Sequence, residues 1–180
     1  MTAKECITGR RSIRKFTSEP VSHDLLNSII ETASYAPSWK NTQITRYVAV
    51  EDPELKSRIA AEACSAHPNN ANIISSAPVL MVITMIKNRS GYERDGSFTT
   101  TKGDRWQMFD AGIATEAFCL AAYEQGLGTV IMGIFDEAVI GDLLAIPEDR
   151  EVAALVAIGH PDEAPQAPKR KTVEDLLSFK

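Results

Sequence analysis

Four cations, Arg10, Arg11, Arg14 and Lys15, stand within six residues of one another, with Ser12 between them. Arginine forks match phosphate oxygens bidentately, and a serine hydroxyl adds a further bond to an anionic oxygen. The segment reads either as an anion site for a phosphomonoester or as a solvated basic turn. A second cluster is Ala36-Pro37-Ser38-Trp39-Lys40-Asn41-Thr42-Gln43. Its Asn and Gln amides donate and accept at once, which suits a ring edge rich in C=O and N–H groups. An ordinary polar turn would use the same residues. A third cluster runs from Gly128 through Ile131, Met132 and Gly133 to Asp136, and Gly133 lets a planar ligand approach the backbone closely. The plainer alternative is a strand ending in a turn. A fourth, Pro168-Lys169-Arg170-Lys171, is basic again.

Other chemistries lack their residues. There is no G-x-x-x-x-G-K-[ST] phosphate loop, no H-E-x-x-H and no G-x-S-x-G elbow. Gly126, Gly128 and Gly133 miss the G-x-G-x-x-G spacing and precede a strand-like run rather than a helix, against a dinucleotide fold. Cys64 and His67 form an isolated C-x-x-H, with His23 and His160 distant in sequence, so no metal is expected. Cys119, between Phe118 and Leu120, reads as inert core.

These clusters must be positioned by a core, and the composition supplies one. Of 180 residues, 44% are apolar, which excludes global disorder and fits a single domain over 1–180. Twenty-four acidic against 19 basic residues leave a net charge of −5, the wrong sign for nucleic acid or an anionic membrane as partner. The longest apolar run, Ala77–Ile86, is far short of a membrane span. No secretory leader is visible, and three cysteines suit a reducing, cytoplasmic location.

Helices are expected over Ala3–Gly9 and from a Ser22 cap to about Tyr35, where Pro37 interferes with further turns. Tyr47–Val50 reads as a strand, and Asp52-Pro53 opens a helix running to about Cys64. A broken stretch His67–Asn72 precedes a buried strand Pro78–Ile86. Lys87–Arg105, with Gly91, Gly96 and Gly103, shows no periodicity and is long for a loop, so it reads as mobile or functional. Its aromatic residues Tyr92 and Phe98, with Trp106 beyond it, would suit the mobile edge of a substrate pocket. Asp104 is expected to cap a long helix ending at the left-handed stop Gly126. Ala111, Gly112, Ala114, Ala117, Ala121 and Ala122 on that helix suggest close approach of another helix, from this chain or from a second subunit. Strands over Thr129–Ile134 and Val152–Gly159 flank a helix Glu137–Leu144, and a last helix covers Val173–Phe179. The mixture without strict alternation predicts an α+β fold.

Taken in order, the blocks resemble the FMN-dependent nitroreductase family. That family carries R-[RH]-S-x-[RK]-x-F, here Arg10 to Phe16, and A-P-S-x-x-N-x-Q, here Ala36-Pro37-Ser38 with Asn41 and Gln43. A D-x-G helix running into G-L-G-T stands as Asp110, Gly112, Leu120, Ala122 and Gly126-Leu127-Gly128-Thr129. Gly159-His160-Pro161 and Arg170 close the series. The resemblance implies a mixed, mainly antiparallel sheet flanked by helices, with a C-terminal extension toward a partner subunit in a homodimer. It implies that Arg10, Arg11, Ser12, Arg14 and Arg170 hold the FMN phosphate and ribityl chain. Pro37, Ser38, Trp39, Asn41 and Gln43 would line one side of the flavin, and the backbone of Ile131, Met132 and Gly133 would approach the ring near N5. It further implies an NADH- or NADPH-dependent oxidoreductase acting by turns on nitroaromatics, quinones or similar small acceptors, with the flavin itself rather than any side chain carrying the chemistry. Enone reduction, dehalogenation, heterocycle oxidation or flavin binding without turnover are the alternatives. Two departures bear on the acceptor pocket: Ile44-Thr45-Arg46 stands where the family often has Pro-Trp, and the chain is short for the family.

Overall fold

The computed structural model describes residues 1–180. In order along the chain the elements are α1 (Ala3–Gly9), α2 (His23–Ala33), β1 (Thr45–Val50), α3 (Pro53–Arg58), α4 (Pro68–Ser76) and β2 (Val79–Ile86). There follow α5 (Arg105–Glu124), β3 (Gly128–Met132), α6 (Glu137–Leu143), β4 (Arg150–Gly159) and α7 (Val173–Leu176). Side-chain caps begin most helices. Thr2 and Glu5 form a capping box, Ser22 Oγ accepts from the Leu25 N–H, and Asp52 accepts from the Leu55 N–H with Pro53 at the first position.

Several local expectations need correction. His67–Asn72 is not broken: Pro68 sits at the first position of α4, where its preset φ helps a helix begin. The helix after Asp52 changes at Ile59 into a π-helical turn over Ile59–Ala63. Asp104 makes no side-chain cap, because it already has helical dihedrals and its carbonyl takes the Gln107 N–H instead. The helix at Val173 is one turn long. Gly126 does stop α5 in the left-handed region, at φ 81°.

The sheet has the order β1-β2-β4-β3 with every strand pair antiparallel, so the architecture is α+β as expected. Period-two alternation then sorts the core into two layers. Leu80, Val82, Val130, Met132 and Leu155 face the helical layer containing Ile59, Ile74 and Ile140. Val79, Met81, Ile83, Val156 and Ile158 face α2 and α5, packing on Ile29, Phe118 and Ala122.

That second layer revises the reading of the small residues in α5. Ala111, Ala114, Ala121 and Ala122 are buried within their own chain, and the helices against α5 are α2 and, less extensively, α1. The outward face of α5 instead carries exposed Met108, Phe109 and Gly112, with half-buried Ile113 and Leu120 one and three turns on. No helix is long and apolar enough to cross a membrane.

Candidate functional site

The basic segment is held at the sheet's β3 edge by backbone pairing. Ser12 pairs in parallel with Thr129, and the Ile13 N–H donates to the Thr129 carbonyl at 2.9 Å. This approach requires glycine at 128, where a Cβ would stand 2.7 Å from Ile13 Cβ. Side chains of an extended segment alternate, so Arg10, Ser12 and Arg14 share one side and Arg11, Ile13 and Lys15 the other. Ile13 is buried. Arg11 follows it: its guanidinium folds back onto the carbonyls of Thr8 and Arg10, and with Ile13, Tyr123 and Glu163 it lines a small cavity of about 340 Å³. Arg11 thus stands apart from the other members of its cluster.

Arg10 is largely withdrawn from solvent. Its side chain is 20% exposed, and Nε lies 3.6 Å from Glu116 Oε1, beyond hydrogen-bond length. That Nε is buried with no hydrogen-bond partner. Its charge is offset by Glu116, but the buried N–H makes no hydrogen bond, and an anionic oxygen taken up beside it would supply one. Arg14 is exposed, tied only through its own N–H to Glu163 and through its guanidinium to the Ser12 carbonyl. Arg170 lies exposed in the extended stretch before α7, without an ion pair or hydrogen bond to the rest of the chain.

The second cluster sits at the opposite edge of the sheet, immediately before β1. Three of its residues, Lys40, Asn41 and Gln43, have left-handed backbone at φ 45°, 56° and 47°. Such conformations cost about 1 kcal/mol or more for a residue with a Cβ, and they persist only where surroundings over-determine them. Here the surroundings are polar. Ser38 Oγ accepts from the Gln43 N–H at 2.9 Å, and the Trp39 N–H donates to Asp110 at 2.9 Å. The Trp39 ring packs 4.9 Å from that of Trp106, while its Nε1 is buried without a partner. Pro37, Ser38 and Gln43 form one end of a groove of about 720 Å³ that continues between α2, β1 and α5 over Ile30, Tyr47 and Ala114.

In the third cluster the alternation of β3 separates neighbours. Met132 is buried in the core, so its side chain points away from any site, whereas Ile131 is exposed on the α5 side. Gly133 is exposed, and a Cβ built there would meet nothing within 4 Å. Open space of this kind is what a planar group needs to reach the backbone.

Within one chain these clusters do not converge. Ser12 and Ile131 belong to the β3 edge, and Gln43 leads into β1 at the other, three inter-strand steps of about 4.8 Å away. Neither the groove nor the small cavity is lined by both.

The stretch 87–105 is ordered by its own hydrogen bonds rather than loose. Tyr92 pairs with Phe98, Thr99 and Lys40 both bond Glu93, and Trp106 Nε1 donates to Thr100. Those bonds, Thr99 first, hold the Glu93 carboxyl below its ordinary range. None of its residues lines the groove; it packs behind the Trp39 loop. Sequence reasoning assigned no role to Asp110, Ser90, Thr42 or Glu116. Asp110 alone had a signal, as the Asp of the D-x-G motif.

A family model described as the nitroreductase family matches residues 7–160. The chain belongs to the nitroreductase family. It is 32% identical over 173 residues to a Bacillus subtilis protein named FMN reductase [NAD(P)H], covering 91% of this chain and 68% of that one. A nitroreductase family protein from Clostridium novyi NT superposes with a TM-score of 0.77 at 30% identity, over 89% of this chain and 87% of that chain. An FMN-dependent nitroreductase from Clostridium difficile R20291 gives 0.78 at 25% identity, over 98% of each.

Proposed function

We propose that this nitroreductase-family chain is an FMN-dependent oxidoreductase that takes hydride from NADH or NADPH and reduces electron-poor small molecules such as nitroaromatics or quinones. One observation carries the reading. The Arg10 side chain is only 20% exposed with a buried Nε that makes no hydrogen bond, and Ser12 and Arg14 follow it at alternate positions in an otherwise acidic protein. That donor set suits a phosphomonoester. The open backbone at Gly133 and the unpartnered Trp39 Nε1 suit a planar heterocycle with polar edges. The residues present therefore fit FMN, and relatives named for FMN support it.

Bound FMN supplies the hydride and electron chemistry; the side chains bind, orient and exclude water. Arg10, Ser12 and Arg14 would hold the phosphate, with Arg170 reaching it from the tail. Trp39, Asn41 and Gln43 would face the ring, and the backbone of 131–133 would approach it. One surface serving donor and acceptor in turn gives ping-pong kinetics.

We infer a homodimer on the same basis. The two clusters on opposite edges of one sheet become a single site if a second copy brings its Trp39 loop to the first copy's arginines. The outward face of α5, with Met108 and Phe109, offers an apolar contact. Val173, Leu176, Leu177 and Phe179 are exposed on their own chain, and β1 has a free edge, which supports a tail extending over the partner. Three free cysteines support a cytoplasmic location.

Purification under gentle conditions, followed by spectra before and after anaerobic NADH and NADPH, tests the reading. The expected protein is yellow, releases FMN on denaturation, is bleached by a nicotinamide and gives parallel double-reciprocal lines with a quinone. Flavin that no nicotinamide bleaches would leave only a binding module. Failure to bind added FMN would overturn the proposal.

A further inference from the structure

A buried relay joins three separate segments behind the Trp39 loop. Asp110 in the first half of α5 is 3% exposed, and its Oδ2 accepts two hydrogen bonds. One comes from the Trp39 backbone N–H at 2.9 Å, the other from Ser90 Oγ at 2.5 Å. Ser90 is 0% exposed and also meets Thr42 Oγ1 at 2.7 Å. Ser90 has one proton, and the carboxylate oxygen can only accept it, so the Thr42 hydroxyl must donate to Ser90. The direction of the whole relay is thereby set: Thr42 to Ser90 to Asp110, with Trp39 donating to the same oxygen.

We infer that Asp110 is the positioning residue for the Trp39–Gln43 turn, acting directly on Trp39 and through Ser90 on Thr42. The turn needs such a clamp. Three of its residues have left-handed backbone, and its internal bonds are few: the Asn41, Thr42 and Gln43 N–H groups bond within it, but none of these reaches the body of the protein. Its part-buried ties to the body are the Asp110 bond and the Ser90 bond, together with the packing of Trp39 on Trp106; the Lys40–Glu93 ion pair at 3.2 Å adds a solvent-exposed one. Ser90 belongs to the 87–105 stretch, so that stretch serves as a buttress to the turn. Asp110 touches no proposed ligand; its influence on FMN runs through the side chains of Trp39, Asn41 and Gln43, and to that extent the inference rests on the reading above.

The test uses the full-length protein with Asp110→Asn, Ser90→Ala, Thr42→Val and the Ser90→Ala/Thr42→Val pair. Ser97→Ala serves as control, since its hydroxyl bonds only exposed Asp95. The flavin-free readouts are the exciton couplet of the Trp39–Trp106 pair in circular dichroism and the rate of tryptic cleavage after Lys40. Asp110→Asn and Ser90→Ala should weaken the couplet and speed cleavage at Lys40, well below the melting temperature. FMN dissociation constants should rise about tenfold, the worth of one hydrogen bond to a charged group. Ser90→Ala and Thr42→Val should be non-additive, because removing either breaks the same link. Variants that fold, keep the wild-type couplet and resist cleavage at Lys40 would overturn the inference, whatever their melting temperatures. Should Asp110→Asn fail to fold, Ser90→Ala and Thr42→Val decide by the same readouts. If the wild type itself bound no FMN, the functional reading would fall while the couplet and the cleavage rate still judged Asp110.

Discussion

Replacing Arg10 and Arg14 together by alanine should strip the protein of FMN without unfolding it. Each guanidinium facing a phosphate is worth about 1.5–3 kcal/mol as a hydrogen bond to a charged group. Arg10 belongs near the upper value, since its side chain is only 20% exposed and its Nε has no hydrogen bond to give up. Arg14 is exposed and belongs near the lower one. The sum is about 4 kcal/mol, which at 1.36 kcal/mol per decade is about three decades in affinity. Stability should hardly change. The only ion pair lost is Arg10 with Glu116 at 3.6 Å, the carboxylate 46% exposed, and such pairs contribute about 0–1 kcal/mol. For a domain of this size that is a fall of at most about 4 °C in Tm. Titration of flavin-free protein with FMN, followed by quenching of flavin fluorescence, gives the affinity, and calorimetry gives the Tm. Lys15→Ala, on the opposite side of the extended segment, should leave Kd within about threefold. A double variant whose Kd rose less than about threefold would refute the reasoning and return the cluster to a solvated turn.

Two glycines at the ends of β3 should respond in opposite ways. Gly128→Ala drives a methyl to within 2.7 Å of Ile13 and should cost about 1–3 kcal/mol of stability, read by denaturant melts. Gly133→Ala meets nothing within 4 Å and should leave the flavin-free Tm unchanged while weakening FMN binding; equal affinity would show that no ring approaches there. His23, hydrogen-bonded to Glu51 at 2.8 Å and attracted by its charge, has its pKa raised above the ordinary histidine value. A raised folded pKa stabilises fully below about pH 6.5 and the contribution disappears as pH rises through the folded value. The Tm difference between wild type and His23→Gln should therefore be positive near pH 5.5 and vanish at alkaline pH, and a difference growing with pH would reverse the sign argued here.

Local chemistry made much of this protein legible in its sequence. Ser22, Asp52-Pro53 and Gly126 act on the backbone within a few residues of themselves, so the ends they impose on α2, α3 and α5 follow from neighbours alone. The continuous apolar runs Pro78–Ile86 and Val152–Gly159 marked buried strands because a short, almost wholly apolar stretch suits a strand covered on both faces, and the four motif blocks sufficed for the family. The arginines' separation was equally local in origin, being the period of two in an extended chain, but it needed the Ser12–Thr129 pairing to show that the segment is extended. What faces what across the molecule was not readable. The alanines of α5 could equally have met a partner subunit; Ala121 and Ala122 instead pack in the layer shared with α2, and Ala111 against Ile44 and Met85, because the packing of two helices on one sheet face depends on both of them at once. Lys87–Arg105 lacked periodicity, so nothing in its order of residues could reveal that Ser90 is buried against Asp110 and Thr42. Hydrogen bonds between residues 20 and 48 positions apart carry no periodic trace, and only the folded chain brings Thr42, Ser90 and Asp110 into contact.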